Sequence, residues 1–259
     1  MSLPRLLEHR EIWAAKPVVG EVYCVWFEAL LATVPKGARV LELGAGPGFL
    51  AEHARRHRPD LRWIASDLVL APWNDLVADG LRLPARDGCL DAIVALDFVH
   101  HLARPGAFFE EAGRVLVPGG HVSVVEPWVT SFSYPIYRYL HEEGCRLDLD
   151  PWSPFPAVES ADKEPFQGDA AVPWRLVRQA TASRWAELGF DPPRVTPLNG
   201  FAYLASLGFR RASLGGRRVS KALRRLDAAT TGLAPYVGLR ALVRWKRKSD
   251  ARHRERGRA

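Results

Sequence analysis

Three glycines alternate at Gly44, Gly46 and Gly48 within the stretch Arg39 to Leu50, RVLELGAGPGFL. Such alternation lets the backbone turn tightly and lets a ligand lie against it with no Cβ in the way. Asp67 stands 19 residues beyond Gly48. A carboxylate at the end of a second strand accepts two hydrogen bonds from a ribose diol; a surface aspartate is the plainer alternative. Asp79-Gly80 offers an acid and a glycine to an adenine edge, or simply a turn. His141, followed by Glu142 and Glu143, is the candidate general base near neutral pH, set against a structural histidine. His100 and His101 are further candidates, at a position suited to shaping a pocket.

The elements that must position these residues follow from hydrophobic pattern. Val40 to Leu43 is a short buried strand, and Phe49 to His57 a helix, so strand, glycine turn and helix make the first half of a βαβ unit. The N–H groups at the start of that helix favour an anionic or polar ligand group. Leu61 to Asp67 is a second strand and Asp75 to Asp79 a short third one, with Pro72 leaving little room for a helix between them. Leu90 to Leu96 is a buried strand, Ala107 to Leu116 a helix, and His121 to Glu126 a fifth strand. This alternation predicts an α/β, doubly wound, mostly parallel sheet with an insertion after strand five.

The flanks are read the same way. Glu8 to Leu31 is helical with a break at Pro17, and Lys16 there is either solvated or faces an anionic ligand group. Trp174 to Leu188 reads as one amphipathic helix ended by Gly189, and Arg194 to Thr196 as strand six. Arg217 to Ala229 is a basic helix with Val219, Leu223 and Leu226 on one face. Leu239 to Lys246 alternates as an antiparallel seventh strand, its rival being an interfacial membrane segment.

Taken in order, ELGAGPG, Asp67, Asp79-Gly80, LDFVHHL and VLVPGG resemble the motifs of class I S-adenosylmethionine-dependent methyltransferases of the methyltransferase type 11-like kind. The resemblance covers about residues 39–127. It implies a seven-stranded Rossmann-like sheet with S-adenosylmethionine across the carboxyl ends of the first four strands. It places Glu42, Gly44, Gly46 and Gly48 on the methionine side, Asp67 on the ribose, and Leu68, Asp79 and Gly80 beside the adenine. Asp97 would close the methionine end. The flanks HREIWAAKPVVGEVY and EPWVTSFSYPIYRYLHEEGCRLDLDPW are similar to a bacterial subgroup of that superfamily.

The expected divisions are a helical lid over 1–36, a cofactor core over 37–127, a substrate-side insertion over 128–172, a C-terminal part of the same domain over 173–247 and a basic disordered tail over 248–259. The insertion is rich in aromatic residues. Trp128, Tyr137 and Tyr139, with Tyr134, Trp152 and Phe155, either form an apolar acceptor pocket or staple a long loop.

Hydrophobic residues make up 47% of the 259, ample for a packed core. Cys24, Cys89 and Cys145 are scattered, with no C-x-x-C, so neither a disulfide framework nor a zinc site is expected and a cytoplasmic setting fits. The charged N-terminus does not suit a signal peptide. The net charge of +7 is uneven: residues 1–209 carry 20 Lys+Arg against 26 Asp+Glu, and residues 210–259 carry 16 against 3. The basic end suits an anionic membrane leaflet or solvent exposure, and nucleic acid is not expected because the cations lie away from the predicted pocket.

Methyl transfer to a small-molecule or lipid- or glycan-linked acceptor, most simply at oxygen, is the expected chemistry. Two rivals stand beside it. A nicotinamide-dependent oxidoreductase is disfavoured by G-x-G-x-G in place of G-x-G-x-x-G and by the lack of Tyr-x-x-x-Lys. A non-catalytic S-adenosylmethionine-binding protein would share every motif.

Overall fold

The computed structural model describes residues 2–141, 143–154, 168–210 and 212–249. Phe155, Glu142 and residues 250–259 of the basic tail lie outside the described residues.

Two helices open the chain, α1 (Leu3–Ala15) and α2 (Pro17–Leu31), and Pro17 starts the second where proline's missing N–H costs nothing. The alternating core follows: β1 (Arg39–Leu43), α3 (Phe49–His57), β2 (Arg62–Asp67), β3 (Leu76–Val77), β4 (Leu90–Leu96), α4 (Pro105–Val115) and β5 (Leu116–Pro127). As Pro72 suggests, no helix joins β2 to β3. The rest of the chain adds α5 (Ser133–Tyr139), α6 (Val172–Gln179), α7 (Ala182–Glu187), β6 (Arg194–Leu198), α8 (Phe201–Ser206), α9 (Arg217–Ala229), α10 (Ala234–Val237) and β7 (Arg240–Lys246).

The seven strands lie in the order β3-β2-β1-β4-β5-β7-β6. All neighbours pair in parallel except β7, which runs antiparallel to both β5 and β6. The alternating segment 239–246 is therefore a sheet strand, as expected. The order reverses at β1 and β4, so the carboxyl ends of those two strands open a crevice between them.

Apolar side chains cover both faces. On one, Phe108 and Phe109 of α4, Leu176 of α6 and Trp185 of α7 pack with Ile93, Val124 and Trp245 of the sheet. On the other, Val22, Trp26, Phe27 and Leu30 of α2 and Leu50 and Ala54 of α3 pack on Val40, Trp63 and Val94.

One helix expected over 174–188 is two. The chain leaves helical geometry at Ala180 and Thr181, and the Thr181 hydroxyl accepts the Arg184 backbone N–H at 3.2 Å as an N-cap. A local cap restarts the helix where apolar spacing alone shows no break. Lys16 also departs from both of its readings. Its ammonium donates to the carbonyls of Ser206, Gly208, Arg210 and Ala212, so it ties down the loop after α8.

Candidate functional site

The glycine turn between β1 and α3 is a crook in the left-handed region, with φ of 65° at Gly44, 53° at Gly46 and 82° at Gly48. Only glycine takes such angles without strain. Two side chains close on it from outside. The Trp73 indole donates to Gly46 O at 2.7 Å and lies so near Gly48 that a Cβ there would stand 2.5 Å from Cδ1. Arg10 of α1 donates to Pro47 O at 2.6 Å and places its guanidinium over the Trp73 ring. The lid is thus latched to the crook.

Asp67 ends β2 facing this crook, 8% exposed. One carboxylate oxygen accepts Gly46 N–H at 2.8 Å and the other accepts Val69 N–H at 2.9 Å. Acid and crook are thus in direct contact. Each oxygen still keeps a second acceptor position, which fits a diol approaching from the outer side. Around it Leu68 is 66% exposed and Leu70 74% exposed, an apolar rim with nothing of the chain upon it.

Asp79 and Gly80 follow the end of β3. Asp79 is exposed and its carboxylate accepts Leu81 N–H at 2.9 Å, closing its own turn. The space over Gly80 belongs to Phe98, whose Cζ would sit 2.5 Å from an added Cβ.

A cleft of about 210 Å³ opens at the carboxyl ends of β1 and β4. Glu42, Gly44, Gly46, Leu96 and Asp97 form one end of it. Gly48, Asp67, Leu68, Asp79 and Gly80 are not among its lining residues. Its apolar wall comes from the lid (Tyr23, Phe27), the start of α3 (Phe49) and the C-terminal part (Tyr203, Phe209). Trp13 stacks on Phe49 with centroids 3.9 Å apart, and His9 on Phe209 at 4.4 Å, closing this wall.

Glu42 is 2% exposed and accepts the Trp63 indole N–H at 2.7 Å. Burial, countered by that hydrogen bond, pushes its carboxyl up to about 7. An acid with a raised value destabilises the fold once ionised: the effect is absent below about pH 4.5, grows between 4.5 and 7, and is complete above 7. Glu42→Gln is therefore expected to raise stability by about 1–3 kcal/mol at pH 8. It should do nothing at pH 4, and urea unfolding at the two pH values measures the difference.

Asp97 adopts φ of 55° and pairs with Arg240 of β7. Arg240 is 3% exposed, with its guanidinium 4.9 Å from the Trp26 ring centroid and 5.0 Å from that of Tyr203. Burial lowers its value to about 10, so it stays charged at neutral pH. By alternation Arg240 falls on the polar side of β7, and there Trp26 of α2 and Tyr203 of α8 cover it.

The far end of the cleft is a cluster of histidines and acids. A short 3₁₀ turn, Val99–His101, carries two adjacent imidazoles. Glu126, at the end of β5 and 0% exposed, accepts Phe98 N–H at 2.9 Å, Val99 N–H at 2.7 Å and His100 Nδ1–H at 2.5 Å. Glu143 stands 3.3 Å from His100 Nε2 and 3.7 Å from His101 Nε2. Burial opposes charge on His100, but Glu126 and Glu143 outweigh it and push its value up to about 10. Burial likewise opposes charge on Glu143, and His100 overcomes it, holding the carboxyl at about 2. His141 also lines the cleft, with Nδ1 3.8 Å from Glu143 and accepting the Glu143 backbone N–H at 3.3 Å.

Among the described residues, Trp128, Tyr137 and Tyr139 do not line the cleft. Trp128 is in the core, and Tyr139 is 75% exposed. Tyr137 is buried with Cys145, Ala170 and Ala171, and its hydroxyl donates to Leu239 O. Trp128 and Tyr137 thus fasten this part of the insertion to the sheet.

Residues 41–124 match the family model of the methyltransferase domain. Over that segment the chain is similar to methyltransferase domains. A ubiquinone biosynthesis O-methyltransferase of Azorhizobium caulinodans is 32% identical over 119 residues, covering 39% of this chain and 46% of that protein. An uncharacterized methyltransferase of Mycobacterium sp. (strain JLS) is 34% identical over 102 residues, covering 36% and 40%. The matched stretch thus spans less than half the length of these relatives. Among solved structures, a SAM-dependent methyltransferase of Thermotoga maritima, described as a possible histamine N-methyltransferase, superposes with a TM-score of 0.54 over 94% of this chain and 97% of that one. At 15% identity that likeness shows the fold alone.

The matched segment supplies the crook, Asp67, Asp97 and the adjacent histidines. Arg240, Glu143, Tyr203 and Phe209, which complete the cleft, lie beyond it. Glu126 is legible only as the end of a strand.

Proposed function

We propose that this chain is an S-adenosylmethionine-dependent methyltransferase acting on a small-molecule or lipid- or glycan-linked hydroxyl. The observation that carries the reading is the left-handed crook bonded through Gly46 to the Asp67 carboxylate at the carboxyl ends of β1 and β2. The residues fit the donor: Glu42 and Asp97 offer carboxylates at the crook's inner end, Asp67 keeps acceptor capacity for a diol, and Leu68 and Leu70 offer an apolar seat for a base. S-adenosylmethionine supplies an already activated methyl group on a sulfonium.

The protein's own contribution is then mainly placement. The lid aromatics exclude water from the cleft, and the acceptor enters beside the histidines. His141 is placed to take the acceptor's proton. Isothermal titration of S-adenosylmethionine and NADH, with labelled-methyl transfer to cell extract, tests the reading. Binding of the methyl donor with labelled product is expected; binding without product would make the chain a non-catalytic binder, and no binding would end the proposal. His141→Gln is expected to lower turnover by about 10²–10⁴-fold with donor affinity unchanged. Unaltered turnover removes its role as base.

The acceptor's attachment to a lipid has its own support in α9. Arg217, Arg218, Lys221, Arg224 and Arg225 accompany the exposed Val219 and Leu226 on this helix. A basic amphipathic surface of this kind favours an anionic leaflet. No helix among the described residues is long and apolar enough to cross a membrane. The chain is expected to sediment with phosphatidylserine-containing vesicles at low salt and not with neutral ones; Arg218→Glu with Lys221→Glu should abolish the difference.

A further inference from the structure

We infer that His100, His101 and Glu143 form a binding site for a divalent first-row transition cation at the acceptor end of the cleft. Each of the three residues offers one ligand atom, and these atoms all lie within 4.8 Å of one another. The nearest pairs are 3.3 and 3.7 Å apart. Two ligands bound at the usual lengths of about 2.0–2.2 Å stand ~3.0–3.5 Å apart around a single ion. The two histidine–carboxylate pairs are already within a few tenths of an ångström of that spacing, and the two imidazoles start from a separation of no more than 4.8 Å.

The site is built from behind. His100 commits Nδ1 to Glu126, which fixes the ring and turns Nε2 toward Glu143; such a carboxylate–histidine pair is the usual support of a metal-bound imidazole. Gly168 backs both rings: a Cβ there would stand 2.6 Å from His100 Cδ2 and 2.9 Å from His101 Nδ1. Asp169 N–H then donates to His100 O at 3.1 Å. Glu143 is held by its own loop, where Gly144 bridges to Asp169 and the Asp169 carboxylate accepts from Arg146. Two carboxylates, Glu126 and Glu143, flank the single charge of the His100 imidazole in a nearly dry place, and a cation offsets the negative charge left over.

Two imidazoles and one carboxylate suit zinc, iron(II), cobalt or manganese better than calcium or magnesium. Three protein ligands leave positions open, as in catalytic and not structural sites. All three residues line the cleft, so those positions face the acceptor. The catalytic use of the cation rests on the methyltransferase reading. There the acceptor hydroxyl, seated at an open position, gives its proton to His141. An oxygen electron pair forms the bond to the methyl carbon, and the pair of the breaking carbon–sulfur bond stays on sulfur, releasing S-adenosylhomocysteine. Cysteine spacing gives no hint of this site because it uses none.

The test is a titration of the tag-free full chain, stripped with chelator, using cobalt(II) followed by visible absorption and zinc followed by calorimetry, with no methyl donor present. About one ion per chain is expected, with a cobalt d–d band. Glu143→Gln and His101→Ala should each weaken uptake at least ~10-fold, and Glu126→Gln by about 10–100-fold. A His53→Gln, His57→Gln variant, which removes the stacked pair on α3, should bind as the parent does. No uptake by the parent chain overturns the proposal, as do a parent-like isotherm for Glu143→Gln and His101→Ala or loss of uptake in the α3 variant. Donor affinity is measured separately on stripped protein. Donor binding without ion uptake sinks this site alone, and ion uptake without donor binding sinks the methyltransferase reading alone.

Discussion

Asp67→Ala is expected to weaken binding of both S-adenosylmethionine and S-adenosylhomocysteine by about 100-fold, read by calorimetry. The magnitude follows from two hydrogen bonds to a charged acceptor at roughly 1.5 kcal/mol each, the low end for such bonds. The alanine also frees Gly46 N–H and Val69 N–H, the two donors that Asp67 now satisfies, so the crook loses its brace along with its sugar contact. Asp67→Asn separates these effects, since an amide oxygen can keep one backbone bond while the charge is lost. Equal affinity for Asp67→Ala and the parent would leave the ribose assignment without support.

Glu126→Ala has the largest expected effect on stability. Its carboxylate is 0% exposed and satisfies three donors, the N–H groups of Phe98 and Val99 and the His100 imidazole. Removing one partner of a buried pair leaves a charge uncompensated, at a cost of about 3–5 kcal/mol. The whole fold is worth only about 5–15 kcal/mol, so urea denaturation should show a large fall in midpoint. Glu126→Gln keeps the volume and one acceptor oxygen, and about 1–3 kcal/mol is expected. A loss below 1 kcal/mol for the alanine variant would mean that water reaches His100 and takes over the bond.

The same residue shows where sequence reading stops. The motif VSVVEP marks Glu126 as the end of a buried strand and nothing more. Its partner His100 is 26 residues earlier and Glu143 is 17 residues later, on a loop without period. Pairing of β4 with β5 brings the first together, and the Gly144–Asp169 bridge brings the second. The aromatic residues of the insertion failed for the opposite reason. Their types suit an acceptor pocket and a staple equally, and only burial separates Tyr137 from Tyr139.

Read without coordinates, the chain determined its alternating architecture, the glycine crook, the acid at the end of β2 and the antiparallel final strand. Those features are local: a glycine at positive φ, a period of two or of 3.6, and a proline that forbids a helix all act within a few residues. Tertiary structure alone decided that Arg240 of β7 reaches Asp97, that the lid helices wall the cleft, and that His100, His101 and Glu143 converge. Each of those depends on which distant segments share a face of the sheet, and packing sets that where no single stretch of sequence records it.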